Sequence, residues 1–109
     1  MDMYEKYIKH IKPNTKLILS AQKALFCAIP KNTKAVYAKI EHNNHLIWKA
    51  FFDEEPSEFE KDILSTAATE VLADFPEIIS IDEQYIYHPS PINFKDELYY
   101  NWPYTRLEQ

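Results

Sequence analysis

Hydrophobic and polar positions change period several times along the chain, and each change marks an element. Tyr4, Tyr7, Ile8 and Ile11 recur at helical spacing, which predicts a short amphipathic helix over residues 3–11, interrupted at Pro13. Asn14 or Thr15 can cap a second helix running through Ile29, whose apolar stripe is Leu17, Ala21, Ala24, Leu25 and Ala28. Whether residues 3–29 form one kinked helix or two stays open at this level. Ile29-Pro30 ends the run, because the residue before a proline is pushed out of helical geometry.

From Lys34 the period is two. Val36, Ala38 and Ile40 point one way, and Tyr37, Lys39 and Glu41 the other. A second alternating run sets Leu46, Trp48, Ala50 and Phe52 against Ile47, Lys49 and Phe51. The Asn43-Asn44 pair between them predicts a hairpin with a two-residue connection, since asparagine tolerates the left-handed backbone of a tight turn.

The next segment, DEEPSEFEKDILSTAATEVLADFP, carries helix start signals in order. Acids occupy the first turn, and Ser57 and Glu60 have capping-box spacing. Phe59, Ile63, Leu64, Ala67, Ala68, Val71 and Phe75 form the expected apolar face, and Pro76 closes it. Residues Ile78–His88 alternate again with more polar groups, which suits a strand at a sheet edge or on a partly wet face. Residues 89–109 read as a proline- and aromatic-rich arm with a short strand near Leu98–Tyr100.

The order is α-β-β-α-β, which predicts a single α+β domain over residues 1–109. Its architecture is a two-layer sandwich with helices on one face of a mostly antiparallel sheet. The connection through the long helix is long enough for a crossover, which would run the third strand parallel to the second. The length of 109 residues suits one domain with one core.

Composition narrows the function. The chain contains no glycine, so a phosphate-binding loop, a dinucleotide-binding turn and a nucleophile elbow are all excluded. The single cysteine, Cys27 in ALFCAI, reads as buried apolar packing. No apolar run approaches the roughly 20 residues of a membrane span, and the first residues carry charges where a signal peptide is apolar. A cytoplasmic protein is expected.

Candidate chemistry is sparse. His42 and His45 flank the hairpin tip, but a zinc site needs further ligands, and they read as exposed turn histidines. Glu70 and Asp74 are one helical turn apart, but a paired-carboxylate site needs both in a cleft with a substrate pocket. Asp74 falls in the last turn, where negative charge is unfavourable, and no serine has a supporting motif. The chain is expected to be no enzyme and to hold no metal or cofactor. One arginine against eleven lysines, in an acidic protein, disfavours nucleic acid as a partner. Lys16, Lys23, Lys31, Lys34 and Lys39 would be the only surface for it.

The net charge of −5 is split, with +6 in residues 1–49 and −11 in residues 50–109. The second half should present an acidic face, and such a field speeds encounter with a basic partner. Tyr85, Tyr87, Tyr99, Tyr100, Trp102 and Tyr104 are concentrated near its end, and such side chains anchor interfaces as readily as they cover a sheet.

Two stretches, NTKLILSAQKALFCAIPKNTKAVYAKI and FFDEEPSEFEKDILSTAATEVLADFP with the following IDEQYIYHP, resemble small bacterial immunity-type proteins. That group belongs to polymorphic toxin and contact-dependent growth inhibition systems. The resemblance rests on Ala28-Ile29-Pro30 with Asn32, on Ala68-Thr69-Glu70-Val71, on Ala73-Asp74-Phe75-Pro76 and on Ile81-Asp82-Glu83, spanning residues 14–90. At the hairpin the chain departs from the pattern, with Asn43-Asn44 where glycine is expected. The resemblance implies an immunity protein that binds a cognate toxin, a basic nuclease domain, and blocks its active site or substrate cleft. No membrane and no small-molecule substrate are expected. Partner-binding residues are then expected at Asp53, Glu54, Glu55, Glu58, Asp82 and Glu83, with Tyr85 and Tyr87 as anchors. The alternative is a structural or regulatory interaction module, a homodimer pairing through its edge strand, without a toxin partner.

Overall fold

The structure, a computed structural model, describes residues 15–92 and 101–106. Helix α1 covers residues 15–25, and strands β1 (Thr33–Glu41) and β2 (His45–Phe52) form the hairpin. Helix α2 (Glu58–Asp74), strand β3 (Ser80–Tyr87) and a two-residue strand β4 (Tyr104–Thr105) complete the order. The helix expected at 3–11, the break at Pro13, the cap at Asn14 and the strand near Leu98–Tyr100 lie outside the described residues.

The four strands run β3-β2-β1-β4 across one sheet. Within it β1 pairs antiparallel with β2 and with β4, whereas β2 and β3 run parallel from His45↔Ser80 to Phe52↔Tyr87. The sheet is therefore mixed and not mostly antiparallel. Its parallel ladder is as long as the hairpin, because α2 carries the chain back to the end of the sheet where β2 began.

Burial follows the two-residue period. Val36, Ala38, Leu46, Trp48, Ala50 and Phe52 share one face and form a core with Leu17, Ala21, Ala24 and Leu25 of α1 and Leu64, Ala67, Ala68 and Val71 of α2. Both helices thus lie on the same face of the sheet. Phe59, expected in this core, is 74% exposed. Helical geometry places it about 130° around from the middle of the buried arc, beyond the reach of the sheet.

Two turns differ from expectation for a shared reason. Helix α1 stops at residue 25 instead of Ile29, and Cys27 takes φ 61 and is exposed, not buried. A left-handed residue just past a helix end reverses the chain and is usually glycine. Here the Ala28 amide donates to the Leu25 carbonyl at 2.9 Å, and the chain turns toward β1. At the hairpin, Glu41 pairs with His45, so the loop has three residues, not two. Asn44 supplies the single left-handed position, at φ 60, and its amide donates to Glu41 O at 3.0 Å.

A bulge between Thr33 and Ala35 sets Lys34 apart from the ladder. Its buried ammonium donates to the carbonyls of His88 (2.8 Å) and Ser90 (2.7 Å), holding the segment after β3 across the end of the sheet. The Arg106 amide donates to Lys34 O, and its guanidinium pairs with Asp53 at 2.8 Å. On the face away from the helices, Trp102 packs against Tyr37 and Phe51, with ring centroids 5.2 and 5.7 Å apart. The arm thus covers part of the open sheet.

The start of α2 forms as its sequence dictates. Ser57 Oγ accepts from the Glu60 amide, and Glu60 Oε1 accepts from the Ser57 amide. Ser57→Ala should lower unfolding stability by about 1 kcal/mol, read as a lower urea midpoint at unchanged m-value.

Candidate functional site: an acidic edge

The expected partner-binding residues fall into three environments. Tyr87 pairs with Phe52, so the end of β3 lies beside the turn that carries Asp53, Glu54 and Glu55 into α2. Glu54 and Glu55 are exposed, and Glu58 opens the first turn of α2 with its side chain in solvent. Glu58 meets Lys61 at 3.3 Å, an exposed contact of little energetic weight.

Asp53 is differently placed. Its carboxylate takes the Arg106 guanidinium, so it fixes the arm instead of presenting free charge. Nothing in the pattern of the sequence pairs two residues so far apart.

Glu83, Tyr85 and Tyr87 stand on the helix side of β3, in register with Trp48, Ala50 and Phe52. Tyr85 donates its hydroxyl to Glu83 Oε1 at 2.6 Å. Its hydroxyl is held protonated well above its ordinary value of 10.0, first by burial, then by the Glu83 hydrogen bond and charge, with Asp62 of α2 adding to the effect and Ser65 opposing it. Tyr85 therefore reaches from the edge strand toward α2, where Ser65 and the Asp62 charge act on its hydroxyl. Asp82 faces the other side of the sheet, where it accepts from Gln84 Nε2 at 2.9 Å. Acidic groups thus flank β3 on both faces. Asp62 and Ser65 belong to the polar side of α2 and are not among the expected partner-binding residues, yet both act on the Tyr85 hydroxyl.

A second feature lies on the α1 side of α2. A groove of about 380 Å³ is lined by Cys27, Ala28, Ile29, Pro30, Ile63 and Thr66, and the neighbouring Phe26 is 81% exposed. Asp74, whose place in the last turn of a helix is electrostatically unfavourable, accepts a 2.7 Å bond from Ser20 Oγ of α1. Glu70 is exposed and takes no part in it. His45 meets Ser80 Oγ at 2.7 Å, so the two hairpin histidines are not a matched pair. Among the described residues no group of three or more His, Cys, Asp or Glu side chains could hold a metal ion, and no helix is long and apolar enough to cross a membrane.

β3 thus presents an acidic, tyrosine-bearing edge near the acidic start of α2. Comparison with protein families matches residues 14–108 to the MafI2 immunity protein family. The chain belongs to that family. Comparison with curated proteins finds no match. The family match extends the resemblance of residues 14–90 through the arm, so β4 and Arg106 fall within the region matched to these immunity proteins.

The protonated Tyr85 gives the immunity protein a pH signature. A folded-state value above the unfolded one stabilises the fold below the phenol's ordinary value and loses that contribution as pH rises beyond about 10. Urea midpoints should fall as pH rises from about 10 to 12, and Tyr85→Phe should flatten that fall. An equal fall in both proteins would remove Tyr85 as its source.

Proposed function

We propose that this immunity protein neutralises a cognate toxin by direct binding, and that the toxin is a basic nuclease domain whose active site or substrate cleft it covers. The observation that carries this reading is the acidic edge itself. Glu58 in the first turn of α2, with Asp82 and Glu83 on opposite faces of β3, places negative charge at the β3 edge, and the exposed Glu55 lies in the turn beside the end of that strand.

A nuclease cleft is built to receive a polyanion, and an acidic protein surface competes for it with the same electrostatics. Tyr85 and Tyr87 supply what charge alone does not. They bury large areas, and Tyr85 is already held in place by Glu83, so little side-chain freedom is lost on binding. The reading makes the protein a binding partner and not an enzyme, acting in the cytoplasm of the bacterium that makes the toxin, within a polymorphic toxin or contact-dependent inhibition system.

The test is co-expression with the product of the adjacent gene. A stoichiometric complex that survives about 1 M salt, together with growth arrest when the neighbour is induced alone, is the expected result. A harmless neighbour that never co-purifies would sink the reading. Within a complex, Glu58→Lys combined with Glu83→Lys should slow association by roughly tenfold at low salt, with the difference shrinking as salt rises. An unchanged rate would remove the acidic edge from the interface.

A further inference from the structure

The two edges of the sheet are built differently. One edge is β4, only two residues long. The other is β3, eight residues paired with β2 at every position from Ser80 to Tyr87 without a register shift. Proteins guard long edges with lysine, proline, bulges or short strands, because unpaired backbone groups there will accept another strand. β3 has none of these, and of the charges that also guard edges it carries only two, Asp82 and Glu83, both negative.

The hydrogen-bond pattern shows which groups are on offer. His88 donates its amide to Phe52 O at 2.8 Å, continuing the ladder just past β3. Backbone groups alternate sides along a strand, so Asp82, Gln84 and Ile86 turn theirs toward β2. Glu83, Tyr85 and Tyr87 then turn their N–H and C=O groups outward. The Tyr85–Glu83 and Gln84–Asp82 bonds fix the acidic side chains on opposite faces beside these donors and acceptors.

We propose that the partner toxin binds by strand addition: an extended, lysine- or arginine-bearing segment pairs through its backbone with the outer edge of β3. Its side chains alternate between the faces, one set meeting Glu83, the other meeting Asp82. Backbone pairing supplies affinity, and the charges select the occupant. A second copy of this chain fits poorly, since its own β3 brings Asp82 and Glu83 and no cation. This inference rests on the toxin-binding reading above and adds to it the mode of docking.

The test uses the purified toxin domain encoded by the adjacent gene, with three forms of the full-length immunity protein. Glu83→Pro removes one outward amide proton from an edge position, where proline is tolerated, and Glu83→Gln removes only the charge. Glu83→Pro should weaken the complex by roughly 30-fold or more, and Glu83→Gln by roughly threefold to tenfold with a reduced salt dependence. In native-state hydrogen exchange of the wild type, the amides of Glu83, Tyr85 and Tyr87 should slow by about 100-fold or more on binding. The exchange measurement decides the matter even if Glu83→Pro fails to fold, which circular dichroism would reveal. A wild-type complex with no protection at these amides, or with protection confined to Phe26, Cys27 and Phe59, would overturn strand addition while leaving the immunity reading intact. Concentration-dependent dimers of the wild type in sedimentation, abolished by Glu83→Pro, would assign the edge to a second copy and overturn it as well. Failure of the wild type to bind the toxin at all would instead remove the reading on which the inference rests.

Discussion

The inner face of β2 is the constraint on which the other elements depend. Leu46, Trp48, Ala50 and Phe52 are all fully buried, and they sit in the middle of the sheet between β1 and β3. Both helices close over them. Because the strand is held on both edges and covered on one face, its neighbours have little freedom of register. A slip of one residue would turn Lys49 into the core and Trp48 out of it. Truncating a side chain such as Trp48 would cost on the order of 3–5 kcal/mol, comparable with much of a small domain's stability.

A second constraint is the absence of glycine. Among the described residues the chain still needs left-handed backbone at two reversals, and it uses Cys27 and Asn44. Asparagine bears this at little cost, since its short polar side chain tolerates that region. For cysteine the steric penalty is about 1–2 kcal/mol, and at this turn Phe26 and Cys27 both stand in solvent. The reversal lets α1 and β1 pack against the same core within a short connection, so burial of Leu25 on one side and Val36 on the other offsets the strain.

Local rules made much of the fold legible. The alternation in β1 and β2, the capping box at Ser57 and the polar character of β3 at an edge are each written in a few neighbouring residues. What was not legible depends on distance. The contacts of Lys34 with the chain after β3, the Asp53–Arg106 pair and the placing of Trp102 over Tyr37 join residues 53 to 65 positions apart, and no period or spacing encodes them. The exposure of Phe59 shows the opposite failure. An apolar residue in step with a stripe was read as core, yet the stripe was wider than the arc the sheet can cover. For the site, the acids and tyrosines were visible as a composition bias, but which of them face the same way required the register of β3 against β2.

That register also turns an asymmetry along the chain into one across the molecule. The strand order β3-β2-β1-β4 sets the acidic third strand at one edge and the lysine-bearing first strand near the other. Lys34 and Lys39 lie on β1, and Lys16 and Lys23 on α1, whereas Asp82 and Glu83 lie on β3. Lys49, the cation of β2, leans over the Tyr37 ring of β1 at 5.6 Å from its centroid, toward the same side as the other lysines. Charges that would cancel in a well-mixed surface are therefore held apart by topology. If the toxin is basic, as proposed, it would be drawn to one edge and repelled from the other, so the field would orient it before contact. The edge it is steered toward carries outward backbone groups at Glu83, Tyr85 and Tyr87. Long-range attraction and short-range pairing then act at the same place, which neither the net charge of −5 nor the strand pattern alone would require.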